Sequence, residues 1–349
     1  MRALITGATG MAGSHLADLL LAEGHDVHVT VRPRSRMQNV LHLLNKVTVH
    51  SVDIRSASAV ERIIRHGQFS WIFHLAAQSS VPVSWQMADE TMQTNIGGTV
   101  NVLEAIRQWS PQTTVHLACS SEQYGKVHPD ELPISEAQPF RPLSPYGVSK
   151  IAQEYLGLQY AASYGLSVAI TRAFNHEGPR RWETSAPAGF ASQIADIEVG
   201  RSAPTLFVGN LDAVRDYLDV RDVVRAYYQV VLVPVIRTPL NICSGRGWPL
   251  REVVRLLLEK SRAEIGVETD PDRLRPSDVP ILIGDSSLLR RRTNWEPRIS
   301  FAETLDALLE EHRARSRSCE PVGAVSLRPN AVATQPRNGT MPPTGPLQR

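Results

Sequence analysis

A chain of 349 residues exceeds the usual size of a single small domain, so one large α/β unit or two units sharing a cleft are the economical organisations. Hydrophobic residues make up 42% of it, enough for a sizeable core, while a formal net charge of +2 with no basic block among aromatics excludes a nucleic-acid surface and points to a small-molecule partner. Cys119, Cys243 and Cys319 are far apart and lack CxxC spacing, which excludes a disulfide framework and a zinc site; with no signal peptide or membrane span either, a cytoplasmic protein without bound metal is expected.

Arg2 to Thr6 reads as a short strand running into Gly7-Ala-Thr-Gly10-Met-Ala-Gly13, and Ser14 to Glu23 as an amphipathic helix ending at Gly24. In such a unit the first glycine permits a tight turn and the second lets the backbone approach a pyrophosphate. The third allows close helix–strand packing, with the phosphate at the helix N-terminus. Gly7, Thr9, Gly10, Met11 and Gly13 are therefore candidate dinucleotide contacts. Val27 to Val31 forms the next strand, whose C-terminal end normally chooses between cofactors: an acid binds the NAD ribose, an arginine accommodates the NADP 2′-phosphate. Arg32, Arg34 and Arg36 follow this strand with no acid among them, and Asp26 lies at its other end, so NADP is expected rather than NAD.

Val47 to Val52 is a third strand, followed by Asp53-Ile54, where a carboxylate is placed to accept from an adenine amine. A helix near Ala57 to His66 precedes a buried strand from Trp71 to Ala77. The small residues at its end, in Leu75-Ala76-Ala77, leave room for a cofactor against the sheet. Asp89 to Trp109 is a long helical pattern, and Val115 to Cys119 a fifth strand with Ser120-Ser121-Glu122 at its C-terminal end, the edge where parallel sheets bind ligands.

Tyr146-Gly-Val-Ser-Lys150 puts a phenol and an ammonium one helical turn apart, on one face of a helix reaching about Tyr164. A free phenol titrates near about pH 10, and a cation held close lowers that value, making Tyr146 usable as an acid or base. Taken alone, the spacing equally suits a surface tyrosine and lysine. Val168 to Phe174 is a sixth strand, and the alternation predicts a Rossmann-type doubly wound parallel sheet with right-handed crossovers over residues 1–174. Beyond it comes the polar loop Asn175 to Arg181, then shorter apolar patterns at Phe190–Glu198, Val220–Val233, Leu250–Leu258 and Phe301–Glu311. Residues 175–313 are thus expected to form a smaller substrate-binding region, with some segments returning to the main sheet. From Ala314 the chain is rich in proline and arginine, with no acid after Glu320, and residues 314–349 are expected to be disordered.

With the glycine fingerprint, Asp53, Ala76-Ala77, Ser120 and Tyr146/Lys150 in this order, the chain resembles the extended short-chain dehydrogenase/reductase family. Ser120-Ser-Glu-Gln-Tyr-Gly125, Phe174-Asn-His-Glu-Gly-Pro-Arg-Arg181, Gly209-Asn-Leu-Asp-Ala213 with Arg215-Asp216, and Leu274-Arg-Pro-Ser-Asp-Val279 are similar to segments of GDP-mannose 4,6-dehydratases and GDP-4-keto-6-deoxy-mannose reductases. The resemblance implies that Ser80, Asn175, Arg180, Asn210 and Arg215 hold a GDP-linked sugar and that Arg275 and Asp278 close over the nucleotide. It also implies that Lys150 stabilises the phenolate and bonds the cofactor ribose, that Ser120 or Ser121 bonds the sugar oxygen, and that the chain pairs as a homodimer or homotetramer. An outward apolar stripe of Tyr155, Leu156 and Tyr160 would serve that pairing. Ser120 stands where the dehydratase usually has threonine, and Ser185-Ala-Pro-Ala-Gly189 replaces a segment that usually carries a basic residue.

The implied chemistry is a 4,6-dehydration. Tyr146 takes the 4-hydroxyl proton while hydride leaves C4, Glu122 removes the C5 proton and helps the 6-hydroxyl depart as water, and the hydride returns to C6. An NADPH-dependent 4-reductase uses the same phenol–lysine pair and stays open on these residues, as do a 4-epimerase and a non-catalytic NADP(H) sensor or scaffold.

Overall fold

A computed structural model describes residues 1–183, 185–233, 238–273 and 279–318. Arg275, Asp278, Cys319 and the tail beyond it lie outside the described residues. Short strands that are apolar along their whole length, such as Trp71-Ile-Phe-His74 with all four residues buried, demand cover on both faces, which parallel sheets obtain from crossover helices. The first part of the chain runs β1 (Arg2–Thr6), α1 (Met11–Ala22), β2 (Asp26–Val31), β3 (Thr48–Ser51), α2 (Ala57–Gly67) and β4 (Trp71–His74). It continues through α3 (Val81–Gln86), α4 (Ala88–Met92), α5 (Gly98–Trp109), β5 (Thr114–Ser120), α6 (Pro145–Tyr164) and β6 (Ser167–Ala173). The second part runs β7 (Asn175–Glu177), α7 (Ala186–Glu198), β8 (Thr205–Val208), β9 (Val214–Asp219), α8 (Val220–Leu232), β10 (Leu240–Ile242), β11 (Gly247–Pro249) and α9 (Leu250–Glu259). It ends with β12 (Gly266–Thr269), β13 (Ile281–Leu282), α10 (Ser287–Thr293) and α11 (Phe301–Arg317).

Seven strands form one parallel sheet in the order β10-β6-β5-β4-β1-β2-β3. The chain winds outward in opposite directions from β1, so the crevice at the C-terminal ends of β1 and β4 is the topological switch point. On one face Leu16 and Leu20 of α1 meet Val223 and Tyr227 of α8 over Val29 and Phe73. On the other, Val60, Ile64, Leu103, Ile106 and Tyr160 of α2, α5 and α6 cover Leu4, Ile72, Val115 and Leu117. Two later segments belong to the main sheet: β10 supplies the edge strand beside β6 and α8 part of a covering layer. The remainder packs β9, β11 and β13 with α7, α9 and α11 around Phe190, Leu206, Leu257 and Leu305.

Three expectations shift. The long pattern from Asp89 to Trp109 is two helices joined by a π-turn at Gln93–Gly97, which presents Asn95 to Gln78 and Ser149. The fourth strand stops at His74, because the Ala76 amide donates to the Thr6 hydroxyl at 3.1 Å. Helix α11 runs on through Ala314 to Arg317, since Ser316 bonds Asp196 and Arg315 pairs with Glu311, so the composition shift at 314 does not end ordered structure there.

Beneath the sheet's C-terminal edge, Arg172 of β6 makes a bidentate pair with Glu154 of α6 at 2.8 and 2.6 Å. Gln123 donates to the same carboxylate, and Arg172 also donates to the Tyr124 hydroxyl, which in turn donates to Asn241 of β10. Breaking a buried pair strands the remaining charge, so Glu154→Ala should cost about 3–5 kcal/mol in urea-unfolding free energy, whereas replacing both partners by apolar residues of similar volume should recover most of it. A single-variant loss below about 1 kcal/mol, the range of a solvated pair, would contradict this reading.

Candidate functional site

A cleft of about 910 Å³ opens over the switch point. Its floor is the glycine loop. Gly7 has φ +77°, and a Cβ there would fall 2.7 Å from the Ala76 Cα, while one at Gly13 would fall 2.5 Å from the Gly7 carbonyl. Gly10 caps α1 without a side-chain oxygen, and no acid occupies the first turn. The N-terminal N–H groups of α1, lined by Met11, Ala12 and Gly13 and reached past Thr9, therefore offer donors and a positive dipole end to an anion, which fits a dinucleotide pyrophosphate.

Around this floor, the expected cofactor contacts separate. Arg32 reaches the cleft together with Ser35. Arg34 and Arg36 do not line it: Arg34 takes a left-handed backbone at φ 66° and the Arg36 guanidinium lies 4.9 Å over the Trp182 ring. Asp53 and Ile54 line it, but the Asp53 carboxylate is held by the Arg55 guanidinium at 2.7 Å and by the Arg55 amide, which keeps it below the usual carboxylate range. Leu75, Ala76 and Ala77 form the wall above β4.

A buried chain of hydrogen bonds fixes that wall. Thr99 donates to the Asn95 carbonyl, so it accepts from His74 Nε2 at 3.1 Å, and His74 Nδ1 accepts from Thr6 at 2.9 Å. Burial, aided by the charge of Lys150, pushes His74 down to about 3, which matches this neutral tautomer.

Helix α6 starts with Ser144, whose hydroxyl accepts from the Gly147 amide at 3.0 Å, and Pro145. Tyr146 and Lys150 follow on one face and line the cleft, 9% and 4% exposed. Gly147 is required between them, because a Cβ there would meet the Glu122 carbonyl at 2.7 Å. Ser120 caps the turn Ser121–Gln123 reciprocally with Gln123, and Ser120, Ser121 and Glu122 all line the cleft. The electrostatics differ from expectation. Lys150 Nζ sits 5.8 Å from the Tyr146 ring centre and donates to the Ala118 carbonyl and to Gln153, each at 2.8 Å. The Tyr146 phenol is therefore raised, not lowered: burial dominates and the Glu122 charge adds to it, against the hydrogen bond to Ser120. Burial also pushes Lys150 down to about 8.

The far wall gathers Ser80, Asn175, Asn210 and Arg215, with Arg180 at its rim. Asn175 Oδ1 is buried and has no hydrogen-bond partner among the described residues. Asn210 accepts from the Asp212 amide in a local turn, and the Arg215 guanidinium donates to the Val214 carbonyl. Arg180 turns its guanidinium onto Asp18 of α1 at 2.6 Å. Arg181, Tyr217 and Arg273 also line the cleft, though none is among the contacts expected from sequence. Arg181 belongs to the motif Phe174–Arg181, whereas Arg273 is brought in by tertiary packing alone, its carbonyl 2.7 Å from where a Cβ on Gly209 would fall. Among the described residues there is no group of three or more His, Cys, Asp or Glu able to hold a metal, and no helix long and apolar enough to cross a membrane.

A doubly wound sheet, an uncapped glycine turn at its switch point and a buried phenol–lysine pair beside a carboxylate define a dinucleotide-dependent protein of the short-chain dehydrogenase/reductase type. Residues 4–308 match the family model described as GDP-mannose 4,6 dehydratase, and the chain belongs to that family. It is 35% identical to the GDP-6-deoxy-D-mannose reductase of Pseudomonas aeruginosa over 246 residues, 70% of this chain and 81% of the relative. It is 31% identical to a GDP-mannose 4,6-dehydratase of Vibrio cholerae over 360 residues, 90% of this chain and 94% of the relative. The solved structure of RMD from Pseudomonas aeruginosa complexed with NADPH superposes with a TM-score of 0.79 at 30% identity, covering 90% of this chain and 99% of that one.

Lys150 carries a testable pH signature. Its folded value near 8 lies below the ordinary 10.5, so between these limits the unfolded chain binds a proton that the folded one lacks. Its stability contribution is present above 10.5 and lost as pH falls through 8. The unfolding free energy of the wild type minus that of Lys150→Met should rise with pH across this window; a flat or falling difference would contradict the assignment.

Proposed function

We propose that the protein is a nucleotide-sugar 4,6-dehydratase that takes GDP-mannose to GDP-4-keto-6-deoxy-mannose. The observation that carries this reading is the buried Tyr146 phenol, bonded to Ser120 and close enough to Glu122 to feel its charge, in one cleft over an uncapped glycine turn. Gly7 to Gly13 would hold NADP, with Arg32 available to its 2′-phosphate, and the bound cofactor would supply a reversible hydride acceptor. Tyr146, ionised with Lys150 supplying the positive charge a phenolate needs, would receive the 4-hydroxyl proton and return it to C5 once hydride has been added at C6, while Ser120 orients the phenol. Glu122 removes the C5 proton, acidified by the 4-ketone, and protonates the departing 6-hydroxyl, a dual role suited to a carboxylate in a partly desolvated cleft. Asn175 and Ser80 hold the sugar, and Arg215, supported by Arg181 and Arg273, holds the diphosphate, where guanidinium forks match phosphate oxygens.

A second reading, an NADPH-dependent 4-reductase, draws on one specific observation: burial keeps the phenol protonated, the form that donates to a 4-ketone. The similarity to the Pseudomonas aeruginosa reductase also favours it. Purified protein given GDP-mannose without a reductant discriminates the two. A 4-keto-6-deoxy product is the expected outcome; inertness together with NADPH consumption on a 4-keto sugar would overturn the dehydratase reading. Tyr146→Phe and Glu122→Gln should each lower dehydration by about 10²–10⁴-fold, the usual worth of a positioned acid or base.

We also propose self-association through α5 and α6. Val148 and Tyr155, seven residues apart on one face of α6, are exposed, Tyr155 at 58%. Leu156 and Tyr160, the rest of the stripe expected from sequence, turn inward, and Tyr160 bonds Glu104. A cytoplasmic setting accords with the free thiols of Cys119 and Cys243.

A further inference from the structure

The loop from Gly178 to Glu183 lies between three elements that sequence distance keeps apart. Arg180 sits in it at φ 68°, a backbone region unfavourable to a non-glycine residue and in need of outside support. Support comes from both sides. His15 of α1 donates to the Pro179 carbonyl at 3.1 Å and Asp18 pairs with the Arg180 guanidinium, while Glu311 of α11 accepts from the Arg180 amide. Between them stands Asn39, 4% exposed, in the short 3-10 turn Gln38–Leu43. Its Nδ2 donates one hydrogen to the Thr9 carbonyl in the glycine loop at 3.1 Å and the other to the Arg180 carbonyl at 3.2 Å.

An amide nitrogen is planar, and its two hydrogens diverge at a fixed angle. When Thr9 is held in place, Asn39 is oriented, and Arg180 then has one carbonyl position that completes the bond. We propose that Asn39 is a positioning residue that couples the dinucleotide loop to the loop bearing Arg181 and Glu183, so that an anion seated on the α1 N-terminus orders the nucleotide-sugar wall of the cleft. The identity of that wall rests on the function proposed above; the coupling between the two loops does not. Linkage makes the effect reciprocal, so a ligand on the 178–183 loop tightens dinucleotide binding by the same factor.

Amide hydrogen exchange tests this without turnover. NADP⁺ added to the full chain should slow exchange of the peptide covering residues 178–183 by roughly fivefold or more, the low end of measured couplings. Asn39→Asp, which replaces the twin donor with acceptors facing two carbonyls, and Asn39→Ala should both still protect Gly7–Gly13 on NADP⁺ addition but lose the effect at 178–183. Asp18→Asn, which weakens that side chain's contacts with the Arg180 guanidinium and with His42 and leaves the Asn39 amide in place, should keep it. Unchanged exchange at 178–183 in the wild type, or full transmission in both Asn39 variants, would overturn the proposal. Calorimetry with GDP separates the two readings: absent GDP binding alongside intact transmission removes the nucleotide-sugar assignment and leaves the coupling standing.

Discussion

The ion pair between Glu154 and Arg172 is the constraint on which the geometry of the cleft depends. Glu154 lies two turns after Tyr146 on α6, and Arg172 is near the end of β6, so the pair sets how far α6 stands above the sheet. The same carboxylate receives Gln123, and Gln123 closes the capping box with Ser120. The turn carrying Glu122 and the helix carrying Tyr146 thus answer to one buried charge. Such a pair contributes little net stability over an apolar replacement, because desolvation offsets attraction. Its value here is directional: a carboxylate accepting three hydrogen bonds from Arg172 and Gln123 in fixed places admits one arrangement of turn, helix and strand.

Electrostatics in the cleft follow from that burial. Sequence spacing placed Lys150 beside Tyr146, and the helix does put them on one face, yet the ammonium is satisfied by Ala118 and Gln153 and the phenol is left protonated by desolvation. Helical periodicity carries information about faces and none about which lone pair an ammonium will choose. Lys150 itself, drawn down to about 8, holds its charge loosely near neutral pH. A ligand bringing phosphate and ribose oxygens into the cleft alters the solvation of both groups at once.

Much of the cofactor side was legible because backbone requirements leave a mark in residue type. A Cβ would meet backbone at 2.7 Å on Gly7 and 2.5 Å on Gly13, which leaves no room for a side chain at either, and the alternation of apolar strands with amphipathic helices reports the parallel sheet. Long side chains gave less. Three arginines after β2 suggested three phosphate contacts, but a left-handed residue at Arg34 splays them and Trp182 claims Arg36. Asn39 and Arg55 carry no motif, since their roles arise from carbonyls and carboxylates brought near by tertiary folding. Helix α11 continues past 314 for a similar reason: composition cannot register that Asp196 accepts from Ser316.

Residues 1–174 hold the glycine loop, the phenol and the lysine, yet they do not make a finished body. The edge strand β10 comes from Leu240–Ile242, and α8, from Val220 to Leu232, covers Val29, Phe73 and α1. A nascent chain that has emerged only as far as β6 therefore exposes an apolar sheet face and an unpaired strand edge, the two features that invite aggregation. Closure of the first sheet has to wait for about seventy further residues, and loops closed late over such separations fold slowly. The two halves of the cleft are in this sense born together: the main sheet is completed only after the chain that carries Asn175, Asn210 and Arg215 has been made.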